Sequence, residues 1–207
     1  MGGVSSSARR SPRRSRFHPL WSVASGHITG FARHRDPLAE AGNWVALTIG
    51  SHLPFWPLYV LWAAGRQALP SALLTMAMAP AFLAVPLLAR RSSLQGRMAV
   101  PLLGIANTVF TIWILGLSSG TEVFLFPCAA LAALIFRRSE RRLMLALTAL
   151  PLGVWYVLQA HAPTPLHHYD ADAAHRLVVL NVCSIGVIIV LFGWFQVEIY
   201  RRMEQRP

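Results

Sequence analysis

Six apolar blocks divide this chain, and its arginines fall almost wholly on alternate connections between them. A helix needs roughly 20 apolar residues to cross the roughly 30 Å hydrocarbon layer of a bilayer. The blocks lie near 44–64, 69–89, 98–118, 120–136, 143–160 and 177–199. Arg9, Arg10, Arg13, Arg14, Arg16, Arg33 and Arg35 precede the first, and Arg90, Arg91 and Arg97 follow the second. Arg137, Arg138, Arg141 and Arg142 follow the fourth, and Arg201, Arg202 and Arg206 come after the sixth. Only Arg66 and Arg176 sit on the other connections. Cationic residues in short loops are retained on the cytoplasmic side. The expected fold is therefore all-α: an integral membrane bundle of six transmembrane helices with both termini cytoplasmic.

With 55% apolar and 13% charged residues in 207, the chain carries too much hydrocarbon for a soluble domain of its size. Its formal charge of +11 would suggest nucleic acid in a soluble protein. Here topology accounts for most of it, and no nucleic-acid partner is expected. Residues 1–35 hold seven arginines and no acid before Asp36, which reads as a disordered basic cytoplasmic tail able to lie on anionic headgroups. A transit peptide has the same bias, and Met1-Gly2-Gly3-Val4-Ser5-Ser6 fits the loose myristoylation pattern. Residues 36–200 form the six-helix transmembrane domain, and 201–207 a short cytoplasmic exit helix. Arginine supplies all nineteen basic residues and lysine none, a codon bias that points to a bacterial inner membrane. Cys128 and Cys183 both fall inside spans, which leaves no external disulfide framework.

Asp36-Pro37 predicts a helix start, with Asp36 as cap and Glu40 near the positive end of the dipole. Prolines 54, 57, 80, 86, 127 and 151 fall within the spans, and each leaves a carbonyl without its helical donor. Beyond the sixth block, Glu198 and Arg202 stand at i, i+4, and Val197, Tyr200 and Met203 recur three apart. That pattern predicts a rigid helix leaving the membrane.

The polar inventory inside the hydrocarbon is short: His52, Asn107 and Asn181, with Glu122 and Glu198 near opposite ends. His52 has no second histidine at its depth, which disfavours haem, and is expected to hydrogen-bond a freed carbonyl or Asn107. Asn107 and Asn181 are expected to join helices. No P-loop, HExxH, GxSxG or paired carboxylate is present, so no catalytic residue and no cofactor is expected. The outer loop 161–176 concentrates four of the eight histidines. Were 168–176 helical, His168, Asp172 and His175 would share one face and offer two imidazoles and a carboxylate to a divalent metal, with His161, His167, Asp170 and Glu122 as supplements. The plainer alternative is a solvated loop at the bilayer surface.

Several of these features together resemble a known class. They are the fourth span opening Gly120-Thr121-Glu122-Val123-Phe124-Leu125-Phe126-Pro127, the basic turn Arg137–Arg142, and a sixth span with Asn181 running into Glu198-Ile199-Tyr200-Arg201-Arg202. Over residues 44–206 the chain resembles the membrane-anchoring sensor regions of bacterial adenylate cyclases, diguanylate cyclases and histidine kinases. The resemblance implies a sensory input or anchoring module that dimerises, or engages a membrane or cytoplasmic signalling partner, and passes a conformational bias through its last helix. In that class a catalytic domain follows the exit helix; no catalytic residue is expected within these 207 residues, so catalysis is not carried over. Two other readings stay open: a structural or assembly subunit of a membrane complex, and a small-solute or metal carrier.

Overall fold

The computed structural model describes residues 28–204, with side chains through residue 197. The chain divides into two compact units, Met1–Phe31 and Ala32–Pro207. Residues 28–31 of the first are helical; the rest of the basic tail, and residues 205–207 of the exit segment, lie outside the described residues. The second unit is the helical bundle.

Among the described residues every regular element is helical. The elements are α1 (Pro37–His52), α2 (Trp56–Ala64), α3 (Leu69–Leu74), α4 (Ala79–Arg91), α5 (Ser93–Leu115), α6 (Leu125–Ile135), α7 (Arg141–Ala160) and α8 (Ala171–Glu204). Short 3-10 turns join several of them. Four helical stretches among the described residues are long and apolar enough to cross a membrane by length and composition: Arg66–Arg91, Ser93–Leu115, Arg138–Ala160 and Ala171–Val197.

Block 44–64 is not one regular helix. It is interrupted by a 3-10 turn at Leu53–Phe55, because Pro54 and Pro57 bring no backbone donor to the ladder. Block 120–136 is short for a different reason: it opens with a 3-10 turn, Thr121–Phe124, and its α-helix has 11 residues. Proline is better tolerated in the first turn, where its missing donor would be unpaired anyway, and Pro70 and Pro80 occupy that position in α3 and α4. Pro86, Pro101 and Pro151 sit inside α4, α5 and α7 without ending them.

Three apolar clusters hold the bundle. One joins α1, α4, α5, α6 and α7 through Val45, Phe82, Val85, Val100, Ile135 and Leu147. A second packs Trp56, Val60, Ala72, Ile114 and Leu115 around Leu177 of α8. The third lies between α5, α6 and α7, with Ile112, Leu125 and Leu158 among its members. Outside these clusters the surface is itself apolar: Trp62, Tyr156, Val190 and Trp194 are each about two-thirds exposed or more. Apolar surface on that scale suits hydrocarbon rather than water.

Close backbone approach is built in at two glycines. A Cβ at Gly96 of α5 would lie 2.5 Å from the Cβ of Ala89 and 2.7 Å from its Cα, so the α4–α5 crossing depends on hydrogen at that position. Gly120 has φ +71° and faces Val178, whose Cα would lie 3.2 Å from an added Cβ. The left-handed conformation and the contact with α8 thus both select glycine there.

Candidate functional site: the two polar ends of the bundle

Polar side chains gather at opposite ends of the bundle. At the arginine-rich end, Arg97 in the first turns of α5 is 2% exposed, although it carries a permanent charge. It meets the Glu140 carboxylate bidentately, Nη1 to Oε2 at 2.6 Å and Nη2 to Oε1 at 2.7 Å. Nη1 also donates to the Ile135 carbonyl at 3.2 Å, and the guanidinium lies over the Phe136 ring at 5.6 Å. Its Nε faces Asp36 Oδ2 at 3.6 Å, close enough for charge attraction but not for a hydrogen bond. Arg137 completes the set from the surface, with Nη2 3.0 Å from the same Asp36 oxygen.

Asp36 is the knot of this tetrad. Its Oδ1 caps α1 by accepting from the Leu38 N–H at 3.1 Å, and its Oδ2 accepts from the Ser93 hydroxyl at the start of α5. Burial works to raise the Asp36 pKa. The Ser93 and Leu38 donors and the charges of Arg137 and Arg97 outweigh it, so the carboxyl titrates below the ordinary aspartate value. Asp36, Arg97, Arg137 and Glu140 carry two charges of each sign. Together they fasten the entry to α1, the α4–α5 turn and the α6–α7 turn at one point.

That depression sets the pH dependence of stability. A carboxylate whose folded pKa lies below its unfolded one contributes stability that is complete above the unfolded value and is lost as pH falls through the folded one. The apparent melting temperature in detergent is therefore expected to hold between pH 7 and 5 and to fall below about pH 4. In Asp36→Asn that acid-side fall should be smaller and start from a lower plateau. An identical acid limb in wild type and variant would refute the assignment.

At the histidine-rich end the polar groups converge on α8. Asp170 starts this helix, its Oδ1 accepting from the Ala173 N–H at 2.7 Å. Arg176 Nε donates to the Ala63 carbonyl at the end of α2, at 2.7 Å. One turn further, Asn181 is fully buried and donates from Nδ2 to the Ser119 carbonyl at 2.8 Å. Ser119 and Thr121 share a hydroxyl hydrogen bond of 2.7 Å beside it, and Ser119 also donates to the Gly116 carbonyl at 2.6 Å. This joint fixes the first third of α8. From residue 182 through Val197 no residue of the helix is fully buried.

The residues singled out from the sequence fare differently. Asn181 of α8 ties that helix to the 3-10 turn Leu117–Ser119, and its Oδ1 has no partner. Asn107 is part-buried, and its Oδ1 has no partner. His52 is exposed at the end of α1 and stacks on Tyr59 with ring centroids 5.5 Å apart, rather than bonding Asn107 or a freed carbonyl. The proline break directly after it turns the ring toward the bundle surface.

His168 precedes α8, because the Asp170 cap sets the helix start at Ala171. The i, i+4, i+7 face that would align it with Asp172 and His175 therefore does not form. Among the described residues no three His, Cys, Asp or Glu side chains gather into a metal set. Arg97, Glu140 and Ser93 are not recognisable as a site from the sequence. Arg97 and Glu140 signal only charge near a block boundary, and Ser93 carries no signal.

Residues 44–206 match the family model MASE7, a family of membrane-associated sensor domains. The chain belongs to the MASE7 family. The match spans most of the transmembrane unit, from α1 to the end of the described part of α8, and includes the Asn181 joint, Arg97, Arg137 and Glu140. No curated protein and no solved structure shows a significant match. As a MASE7 member the chain is a membrane-associated sensor region, and its apolar helices agree with a place in the membrane.

Proposed function

We propose that this MASE7 domain is the input and anchoring module of a bacterial inner-membrane signalling system, and that α8 carries the signal. The observation that supports this reading most is the length of α8. Its 34 unbroken residues rise about 51 Å, against roughly 30 Å of hydrocarbon. Fixed at the histidine-rich end and largely exposed beyond residue 181, it has the form of a lever whose far end lies past the membrane.

The six-span arrangement with both termini cytoplasmic belongs to the same proposal. In it, α1 and α2 cross together as one broken span, and 121–135 crosses as a short one. The arginine-rich tetrad then lies inside and the Asn181 joint outside. A stimulus at the outer joint would tilt or rotate α8, while the tetrad holds the inner ends of α1, α5, α6 and α7 as a fixed frame.

The exposed residues Cys183, Val187, Val190, Trp194 and Val197 on α8 alternate in steps of four and three, the spacing of a coiled-coil seam. This spacing supports a parallel dimer through α8. Cys183 is exposed and Cys128 buried, so mild oxidation of membranes should give a covalent dimer that Cys183→Ser abolishes and Cys128→Ser does not. Monomer alone under all oxidants would count against the dimer. For the function itself, a cyclase domain fused after Arg206 should be membrane-bound and active. A folded but inactive fusion would overturn the relay through α8.

A further inference from the structure

Among the described side chains, the acids of the arginine-rich end are engaged within the protein. Asp36 and Glu140 are held in the tetrad, and Glu40 accepts from the His34 N–H at 3.2 Å. The arginines around them are in a different condition. Arg33, Arg35, Arg91, Arg138, Arg141 and Arg142 are all exposed, and among the described residues none of the six pairs with a carboxylate. The tetrad gathers the three connections that bear them at one end of the bundle. The result is a rim of six arginines that no described carboxylate pairs, directly beside apolar surface such as Leu94 and Leu145, which are 37% and 60% exposed.

Topology alone does not require so dense a rim, since orientation follows the arginine bias between connections rather than any particular grouping. Arg138, Arg141 and Arg142 are nonetheless gathered within five residues, Arg138 opening the 3-10 turn and Arg141 and Arg142 the first residues of α7. Guanidinium groups recognise phosphate with paired, parallel N–H donors. Apolar side chains immediately next to them match the start of acyl chains. We infer that this rim is a binding surface for anionic phospholipid headgroups, centred on Arg138, Arg141 and Arg142 with Arg91, and that it retains such lipids selectively rather than merely lying among them. The partner is a phosphodiester headgroup with net negative charge. A zwitterionic choline headgroup brings its own cation into the rim and loses the advantage.

The test uses the full chain in detergent, where the arginines no longer have a topological role. Phosphatidylglycerol and phosphatidylcholine are added in equal amounts, and retained lipid is read by native mass spectrometry. Wild type should retain phosphatidylglycerol over phosphatidylcholine by about tenfold, with the preference falling as ionic strength rises. Arg138→Gln with Arg141→Gln and Arg142→Gln should bring the ratio to within about twofold of parity, whereas Arg66→Gln, which alters an exposed arginine at the other end, should leave it unchanged. Equal retention by wild type would overturn the proposal whether or not the triple variant folds. So would a triple variant that keeps the full preference.

Discussion

Replacing Arg97 with alanine is expected to destabilise the bundle by about 3–5 kcal/mol, the range for removing one partner of a buried ion pair. The cost comes from what remains. Glu140 would lose both hydrogen bonds of its bidentate contact, and the nearly buried Asp36, still bonded by Ser93 and Leu38, would keep Arg137 as its one cation, approaching from the surface. Arg97→Lys should recover little, because an ammonium is a single point charge and cannot donate in parallel to both oxygens of Glu140 while also reaching the Ile135 carbonyl. Arg97→Met with Glu140→Gln should recover much more than either change alone, since it removes both charges together. Thermal unfolding of wild type, Arg97→Met, Glu140→Gln and the double variant in one detergent decides the matter. If the single changes simply added, the tetrad would not act as a unit.

Val190→Pro is expected to abolish control of a fused cyclase by at least tenfold while leaving the fusion in the membrane. Val190 is 68% exposed, so the change removes little side-chain packing within the chain. It does remove a backbone donor and drives the proline ring against the carbonyl four residues earlier, at about 3 kcal/mol or more in a helix interior. The resulting kink falls between the Asn181 joint and the far end of α8. Val190→Ala, which keeps the helix, should retain control. Normal regulation in the proline variant would show that α8 does not transmit as a rigid body, because no other change in the protein accompanies the kink.

These two experiments address features that the sequence reveals unequally. The length of α8 is readable from the last apolar block and the helical spacing that continues beyond it, because helical periodicity is local. Asp36 is readable as a cap for the same reason, and its side chain does accept from Leu38. Asn181 stands out because a polar amide within apolar neighbours needs a partner.

The tetrad has no such local signature. Arg97 lies 43 residues from Glu140, and Ser93 lies 57 from Asp36. Nothing in a run of residues distinguishes a buried arginine from those that set orientation. The metal reading of His168, Asp172 and His175 rests on helical spacing that begins three residues too early. A single aspartate at 170, a cap rather than a supplementary ligand, decides the helix start. The first block likewise looks continuous because hydropathy does not register the hydrogen bonds that Pro54 and Pro57 remove.

The separation of the tetrad along the chain also governs the order in which the protein can be completed. Synthesis delivers Asp36 first, Arg97 next and Glu140 some forty residues later. Four apolar blocks, 44–64, 69–89, 98–118 and 120–136, are thus made before the buried Arg97 guanidinium can meet its bidentate acceptor. Closure of that end must wait for the turn between α6 and α7 to bring Glu140 into place. Assembly of the bundle is thereby gated by the last partner to leave the ribosome, and a product released early would remain open at its arginine-rich end.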